Sequence, residues 1–253
     1  MRMKKALYAG MTILVLTGLL SVSAKASLVV GGSNNGSLIT ALNTLGLTYT
    51  TAGSGATTVD PTGYGAGDTI LISNDGGTDA SFANYNNFLN AGGHLVMIGG
   101  SNFQPFRDWV SNYFTLTDTT LGWHTDGSWH KDGSNPVTVN LPSNYTFSDP
   151  AATYHMLGFL AAPNTVLLGH NDEPNSIAAV RSYSNGGSFV YMALDIGASF
   201  GSNPNDQSQF LVPFIQGALN PAAAVPEPAS LLAAAFGVLI PAGLAVVRRK
   251  RSV

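Results

Sequence analysis

The chain has 253 residues and no cysteine, which excludes disulfides, thiolate metal sites and a cysteine nucleophile. Its length suits one domain of ordinary size together with targeting segments, because domains commonly have roughly 100–200 residues. The formal net charge is only −3, but residues 27–224 carry three Lys or Arg against thirteen Asp or Glu, an acidic balance that repels nucleic acid.

The amino terminus has the pattern of a secretory signal peptide. Basic residues between Arg2 and Lys5 precede the apolar stretch Ala6–Leu20. Ala24 and Ala26 are the small residues that signal peptidase requires, which predicts cleavage before Ser27. An uncleaved anchor is the alternative, but the apolar stretch is shorter than the roughly 20 residues that span a bilayer. We therefore expect residues 1–26 to be a signal peptide.

Residues 27–219 form the predicted exported domain, and its first half alternates strands with helices. Apolar runs predict strands at Leu28–Val30, Thr69–Ser73 and His94–Ile98. Apolar residues at helical spacing predict helices around Leu38–Leu45, at Ser81–Ala91 with Gly92-Gly93 as its end, and near Phe103–Phe114. This alternation is typical of a parallel sheet that is covered by helices on both faces.

The second half of the domain is richer in strands. Strands are predicted at Val166–Leu168, Ile177–Tyr183 and Ser188–Leu194, and a last helix at Asp206–Leu219. Asn185-Gly186 predicts a type I′ hairpin turn, because both residues tolerate positive φ. The fold prediction is therefore an α/β domain of three layers, with a mainly parallel sheet and a late antiparallel hairpin.

Three segments, GDTILISND (67–75), NFLNAGGHLVMIGGS (87–101) and GGSFVYMALDIGASF (186–200), resemble the class I glutamine amidotransferase-like fold and its non-amidotransferase relatives. The resemblance implies a nucleophile in the sharp turn after a strand, which corresponds here to Ser101. Phe103 stands where a nucleophile elbow needs a small residue. Ser101 is therefore either a nucleophile or an ordinary polar residue of a loop or helix cap, and the second interpretation is favoured.

The loop Gly31–Ser37 has the glycine content of a phosphate cradle but fits neither known template. Ser33 replaces the second glycine of G-x-G-x-x-G, and Ser37 stands in place of the Walker lysine. Turns at the carboxyl ends of parallel strands nevertheless flank the usual ligand crevice of an open α/β sheet. The loop is therefore either one wall of a small-ligand site or an ordinary turn.

Aromatic, imidazole and carboxylate side chains cluster in residues 123–132. The candidate ligand contacts there are Trp123, His124, Asp126, Trp129, His130 and Asp132. Three interpretations remain open: a structural loop, a carbohydrate contact in which tryptophan stacks on a sugar, and a divalent metal site. The spacing matches no established metal site, and Lys131 places a positive charge within the cluster. We therefore predict no metal and no cofactor.

The carboxyl terminus combines a Pro-Glu-Pro triplet, an apolar run and a basic tail. Residues 220–225 form a small, proline-containing linker, and Pro226, Glu227 and Pro228 follow it. Ala229–Val247 has only one polar side chain, Ser230, and as a helix would be about 28 Å long, enough to cross a bilayer. A buried core helix is the alternative. The basic residues Arg248, Arg249, Lys250 and Arg251 would remain cytoplasmic.

Triplet, span and basic tail together resemble the PEP-CTERM sorting signal of Gram-negative bacteria that make exopolysaccharide. The resemblance implies recognition by exosortase, a membrane-embedded transpeptidase that acts near residues 226–228. We expect an exported protein that is first tethered to the inner membrane and is then released to the cell surface or extracellular matrix. Its expected partners are signal peptidase, exosortase, the membrane and exopolysaccharide.

Two classes of function remain open for the exported domain. A non-catalytic binding or matrix role fits the acidic domain, the sorting signal and the missing cysteine nucleophile. The alternative is a surface hydrolase that acts on glycans through paired carboxylates such as Asp126 and Asp132. The first is favoured, so we expect no catalytic residue.

Overall fold

The computed structural model describes residues 26–32, 36–52, 59–73, 82–99, 116–124, 128–133, 135–147, 154–159, 165–170, 176–194 and 203–219. Residues 1–25 of the predicted signal peptide, the linker, the PEP-CTERM segment and the predicted helix near Phe103–Phe114 lie outside these residues. Within them, no helix has both the length and the hydropathy needed to cross a membrane.

Five parallel strands form one half of the sheet. They are β1 (Leu28–Gly32), β2 (Thr50–Thr51), β3 (Thr69–Ser73), β4 (His94–Ile98) and β11 (Ser188–Met192). Their order in the sheet is β2-β1-β3-β4-β11. The apolar runs of β3, β4 and β11 are buried along nearly their whole length, as expected for parallel strands covered on both faces. The strands predicted at residues 28, 69 and 94 are confirmed.

Antiparallel strands form the other half. They are β5 (Leu116–His124), β6 (Ser128–Lys131), β7 (Asn144–Thr146), β8 (Tyr154–Phe159), β9 (Thr165–His170) and β10 (Ser176–Ser182). The sheet continues from β11 through β10, β9 and β6 to β7, while β8 pairs with β5 and β10. The prediction of a mainly parallel sheet is therefore right for one half only. Pairs such as β6 with β9 join strands far apart in sequence, and local periodicity does not show them.

The hairpin between β10 and β11 is confirmed, but its turn differs from the predicted one. The Gly186 N–H donates to the Tyr183 carbonyl, and the Tyr183 N–H donates to Gly187. Ser184 and Asn185 therefore occupy the centre of the turn, and Gly186 follows with φ of +92°. This is the geometry of a three-residue loop that ends in a left-handed glycine, not of a two-residue type I′ turn.

Two of the helices end at glycines in the same way. In α1 (Gly36–Thr44), Gly46 has φ of +66°, and the Leu47 N–H donates to the Leu42 carbonyl. In α2 (Phe82–Asn90), Gly92 has φ of +96°, and the Gly93 N–H donates to the Phe88 carbonyl. Both are Schellman caps, which confirms the predicted end of α2 at Gly92-Gly93.

The last helix, α3, contains a π-helical turn. It consists of Pro204–Asp206, the π-helical segment Gln207–Leu211 and Val212–Ala218. The Val212 N–H donates to the Gln207 carbonyl five residues earlier. Pro213 has no N–H, and its ring clashes with the preceding turn of a regular α-helix. The wider turn before Pro213 relieves this conflict, since π-bulges are a usual response to such an interruption.

Two buried clusters lie on opposite faces of the parallel half. Val96, Val190 and Leu71 pack in one cluster with residues of α1 and α3. Leu95, Phe189 and neighbouring side chains form the second cluster with residues of α2. Because successive strand residues point to opposite faces, helices cover both faces of this half.

Asp68 joins the start of β1 to the start of β3. Its Oδ1 accepts hydrogen bonds from the Ser27 backbone N–H at 2.8 Å and from the Ser27 hydroxyl at 2.7 Å. Its Oδ2 accepts from the Gly65 N–H at 2.8 Å. Burial acts to raise the pKa of Asp68, but these three hydrogen bonds outweigh it and hold the pKa below its usual value. The first described residues are thus fixed to the sheet by one carboxylate.

Candidate functional site

The strand order reverses direction at the carboxyl ends of β1 and β3, which is where open α/β sheets usually bind ligands. From β1 the chain moves to β2 on one side, and then crosses to β3 on the other side. The order β2-β1-β3-β4-β11 corresponds to the 2-1-3-4-5 order of flavodoxin-like sheets, in which ligands bind where the direction reverses. We call this position the switch crevice, and it lies beyond the last residues of the two strands, Gly32 and Ser73.

Gly32 and Ser73 approach so closely that only glycine fits at position 32. They are register partners in the parallel pair, and Gly32 has φ of +97°. A Cβ atom at Gly32 would lie 1.8 Å from the Ser73 carbonyl oxygen. The two backbones therefore meet without an intervening side chain at the mouth of the crevice, and Ser73 itself is fully buried.

Two hydrogen bonds fix segments that follow β4 and β1, next to the position of the switch crevice. The Tyr191 hydroxyl donates to the Gly99 carbonyl at 3.0 Å, and this fixes the residue that follows β4. Burial raises the pKa of Tyr191, so its hydroxyl remains a donor at neutral pH. The Gln207 side-chain amide donates to the Ser37 carbonyl at 3.1 Å, which ties the π-helical turn of α3 to the first turn of α1.

The structure describes only the flanks of the two predicted loops at this edge. Ser101, the candidate nucleophile, lies two positions beyond Gly99 and outside the described residues. Gly31, Gly32, Gly36 and Ser37 are described, whereas residues 33–35 between them are not. Of the glycine loop, the structure therefore places only the end of β1 and the start of α1.

The predicted cluster of residues 123–132 spans two strands instead of forming one loop. Trp123 and His124 belong to β5, where their backbones pair with His155 and Tyr154. Asp126 lies outside the described residues. Trp129 and His130 belong to β6, and Asp132 follows it. The assumption of a single loop is wrong, because these residues occupy the antiparallel half of the sheet.

Alternation along β6 divides this cluster between the two faces. Trp129 is only 1% exposed and packs in the core cluster with α3, so we leave it out of any ligand surface. The Lys131 ammonium donates to the Leu141 carbonyl at 3.1 Å on the same side as Trp129. The charge of Lys131 is therefore directed away from His130, contrary to the reasoning from sequence.

His130 and Asp132 are brought together over Gly169. Gly169 is the cross-strand partner of His130. A Cβ atom at Gly169 would lie 2.8 Å from the His130 Nε2 atom and 3.5 Å from the Asp132 Oδ2 atom. One imidazole and one carboxylate thus share the space that the glycine leaves. No group of three His, Asp or Glu side chains that could hold a metal occurs in the part of the chain that the structure describes.

Sequence reasoning missed a polar pair at the opposite edge of the sheet. The His94 Nδ1 atom and the Ser188 hydroxyl lie 2.9 Å apart, and both side chains are buried. They are the first residues of β4 and β11. Their only sequence signal is a polar residue at the start of an apolar run. Such residues are too common to indicate a site.

Comparison with known proteins supports the fold class and does not indicate a function. No protein-family model and no curated protein matches the chain. A ThuA-like protein from Bacteroides uniformis matches with 15% identity and a TM-score of 0.50, over 81% of this chain and 96% of its own. A GMP synthase subunit from Thermoplasma acidophilum matches with 10% identity and a TM-score of 0.50, over 79% of this chain and 94% of its own. These structures support an α/β class and a glutamine amidotransferase-like fold.

Proposed function

We propose that this protein is an exported surface protein that binds a ligand at the switch crevice without chemical conversion, and that it associates with exopolysaccharide. The observation that carries the proposal is the strand reversal beside Gly32 and Ser73. In a flavodoxin-like, three-layer arrangement such a reversal leaves an open crevice between two loops. The space around the Cβ position of Gly36, at the start of α1, is open, so a ligand can approach the backbone closely there.

Export is the second part of the proposal, and the two ends of the chain support it. A signal peptide with cleavage before Ser27 directs the domain across the inner membrane. The segment Pro226–Arg251 then holds the precursor there until exosortase acts near the Pro-Glu-Pro triplet. Proline fixes φ and disfavours helix in the residue before it, so the triplet keeps the recognised segment extended.

Intact mass measurement tests processing. The full chain is expressed in an exosortase-positive host and in the same host without exosortase. We expect a surface form that begins at Ser27 and ends near Glu227 in the first host, and a membrane form that keeps Val253 in the second. A form that still ends at Val253 in the exosortase-positive host would show that the tail is a permanent anchor.

Co-sedimentation with exopolysaccharide from the exosortase-positive host tests binding at the switch crevice. Gln207→Ala removes the amide that ties α3 to α1 and should reduce the bound fraction. Gln209→Ala changes an exposed residue of the same helix and is the matched control. Equal binding by both variants would remove the crevice from the proposal.

Probe labelling tests the absence of acyl transfer. A broad serine-hydrolase probe should label the protein no more than it labels Ser101→Ala, because Phe103 stands at the sequence position where a nucleophile elbow needs a small residue. Labelling that disappears in Ser101→Ala would establish a serine nucleophile and favour the hydrolase alternative.

A further inference from the structure

A cavity of about 220 Å³ lies at the amino-terminal edge of the sheet, opposite the switch crevice. Its lining includes His94 and Ser188 at the starts of β4 and β11, Ser182 at the end of β10, and Pro136 and Val137 of the 3₁₀ segment Pro136–Thr138. Pro136, Ser182 and Gly186 are exposed at its rim, while the other named side chains are buried. The cavity is thus open to solvent and has a buried floor.

The polar groups of this cavity form a row across three neighbouring strands. His94 is the register partner of Ser188, and Ser188 is the register partner of Ser182. Register partners point to the same face, and strands lie about 4.8 Å apart, so the row extends about 10 Å. We call His94, Ser188 and Ser182 the polar row.

On the same face of β4, β11 and β10, the residues two positions further into the sheet are all valines. Val96 pairs with Val190, and Val190 pairs with Val180. Val180 also lines the cavity, together with Val137 from the 3₁₀ segment. The cavity therefore combines one row of hydrogen-bonding groups with an apolar wall, which is the usual composition of a small-ligand site.

Several hydrogen-bonding groups of the cavity are available to a ligand. The His94 Nδ1 atom is used by Ser188, whereas Nε2 has no hydrogen-bond partner among the described residues. The Asn135 Oδ1 atom accepts from the Val137 N–H at 2.9 Å, which leaves the side-chain NH₂ group to donate. The Asn135 amide therefore offers a donor, and the His94 Nε2 atom offers a donor or an acceptor according to which ring nitrogen carries the proton.

The cavity favours an uncharged ligand. No Asp, Glu, Lys or Arg of the described residues lines it. Burial lowers the pKa of His94, so the imidazole is neutral at pH 7. A charged ligand would lose hydration without gaining a counter-ion, which is costly in a buried site. The volume is below the range of roughly 300–1,000 Å³ of drug-sized sites, and so it suits one small ring.

We propose that this cavity is a binding site for a neutral, hydroxyl-rich molecule of the size of one sugar ring. The polar row and Asn135 hydrogen-bond the hydroxyl groups, and Val137 and Val180 contact the apolar face of the ring. The proposal does not rest on the switch crevice, because the two sites lie at opposite edges of the sheet.

The test uses the full chain in a detergent without sugar headgroups and follows the His94 ring signals by NMR. His94→Gln assigns those signals among the five histidines, and Ser188→Ala serves if that variant does not fold. Glucose, mannose and inositol are the neutral probes, and glucuronate and glucosamine are the charged ones. We expect at least one neutral probe to shift the His94 signals with a dissociation constant of about 1–10 mM, as for other ligands of a dozen atoms.

Ser182→Trp places a large ring at the rim and should abolish the shift, whereas Ser182→Ala should weaken binding about fivefold through one lost hydrogen bond. Ser184→Trp carries the same substitution at an exposed residue of the turn that does not line the cavity, and should bind normally. Gln207→Ala should also bind normally, which separates this site from the switch crevice. No shift with any neutral probe, a shift with charged probes only, or a shift that persists in Ser182→Trp would each overturn the proposal.

Discussion

The hydroxyl of Tyr191 and the carbonyl of Gly99 are joined by a hydrogen bond of 3.0 Å, and both residues are buried. Tyr191→Phe keeps the ring but leaves the carbonyl without this donor. We expect the free energy of unfolding to fall by about 1–3 kcal/mol, the usual effect of an unsatisfied buried group. Urea unfolding measures this change.

Tyr49→Phe is the control for Tyr191→Phe. Its hydroxyl lies 3.3 Å from the Asn43 side chain in an exposed contact, so its loss should change stability by no more than about 0.5 kcal/mol. Equal effects of the two substitutions would mean that the Tyr191 bond does not stabilise the turn after β4.

Gly32→Ala should be far more damaging than Gly46→Ala. Both glycines have positive φ, and each substitution brings backbone strain of about 1–2 kcal/mol. Only at Gly32 does the added Cβ also meet the Ser73 carbonyl, whereas the space around Gly46 is open. We expect a loss of more than about 3 kcal/mol at Gly32, or no folded protein. Thermal unfolding of the two variants, compared side by side, checks the difference, and similar melting temperatures would contradict the close approach.

Tyr145→Phe should destabilise the contact between β7 and α3. The Tyr145 hydroxyl donates to the Asp206 carboxylate at 2.6 Å, and Asp206 is fully buried. The phenylalanine keeps the ring contacts with Phe147 and Phe210, so the substitution isolates the hydrogen bond. We expect a loss of about 1–3 kcal/mol in urea unfolding. Tyr64→Phe, at a half-buried position near α2, is the control and should have little effect.

Asp68→Asn should remove part of the acid sensitivity of the fold. The folded-state pKa of Asp68 lies below the unfolded value, so its contribution is present above about pH 4 and disappears as pH falls through the folded-state pKa. Because Asp68 is partly exposed to solvent, we expect a contribution of no more than about 1 kcal/mol. Unfolding free energies of wild type and variant should therefore differ at pH 6 and converge as the pH falls below the folded-state pKa of Asp68. A difference that persists unchanged at low pH would contradict the role of the carboxylate.

The parallel half could be predicted because its signals are local. An apolar run such as Thr69–Ser73 and a helix that ends at Gly92 each need only a short window of sequence. The pairing within the antiparallel half could not be predicted, because one partner of β6 is β9, more than thirty residues later, and local periodicity does not show its register. Successive residues of a strand point to opposite faces, so Trp129 and His130 lie on different faces of β6. This could have been predicted by assigning Ser128–Lys131 as a strand.

The switch crevice and the polar row differ in the same respect: the first could be predicted from local sequence and the second could not. Glycines next to predicted strands predicted the position of the switch crevice, because the carboxyl ends of parallel strands share one edge. The polar row depends on the alignment of His94, Ser188 and Ser182 across three strands. That alignment arises only when β4, β10 and β11 are assembled, so no segment of sequence contains it.

Because Ser27 contacts Asp68, the pH dependence of stability would depend on where signal peptidase cuts the chain. If signal peptidase cuts before Ser27, the backbone nitrogen 2.8 Å from the Asp68 carboxylate becomes an α-ammonium group. A nearby carboxylate raises the pKa of an ammonium group above its ordinary value of about 7.7–8.0, so the pair stabilises the mature protein below that pH and loses its effect as pH rises through the raised pKa. A cut one residue earlier or later would move the amine by about 3.5 Å, beyond direct contact. A fall in the free energy of unfolding at alkaline pH would therefore indicate that the mature protein begins at Ser27 and not at a neighbouring residue.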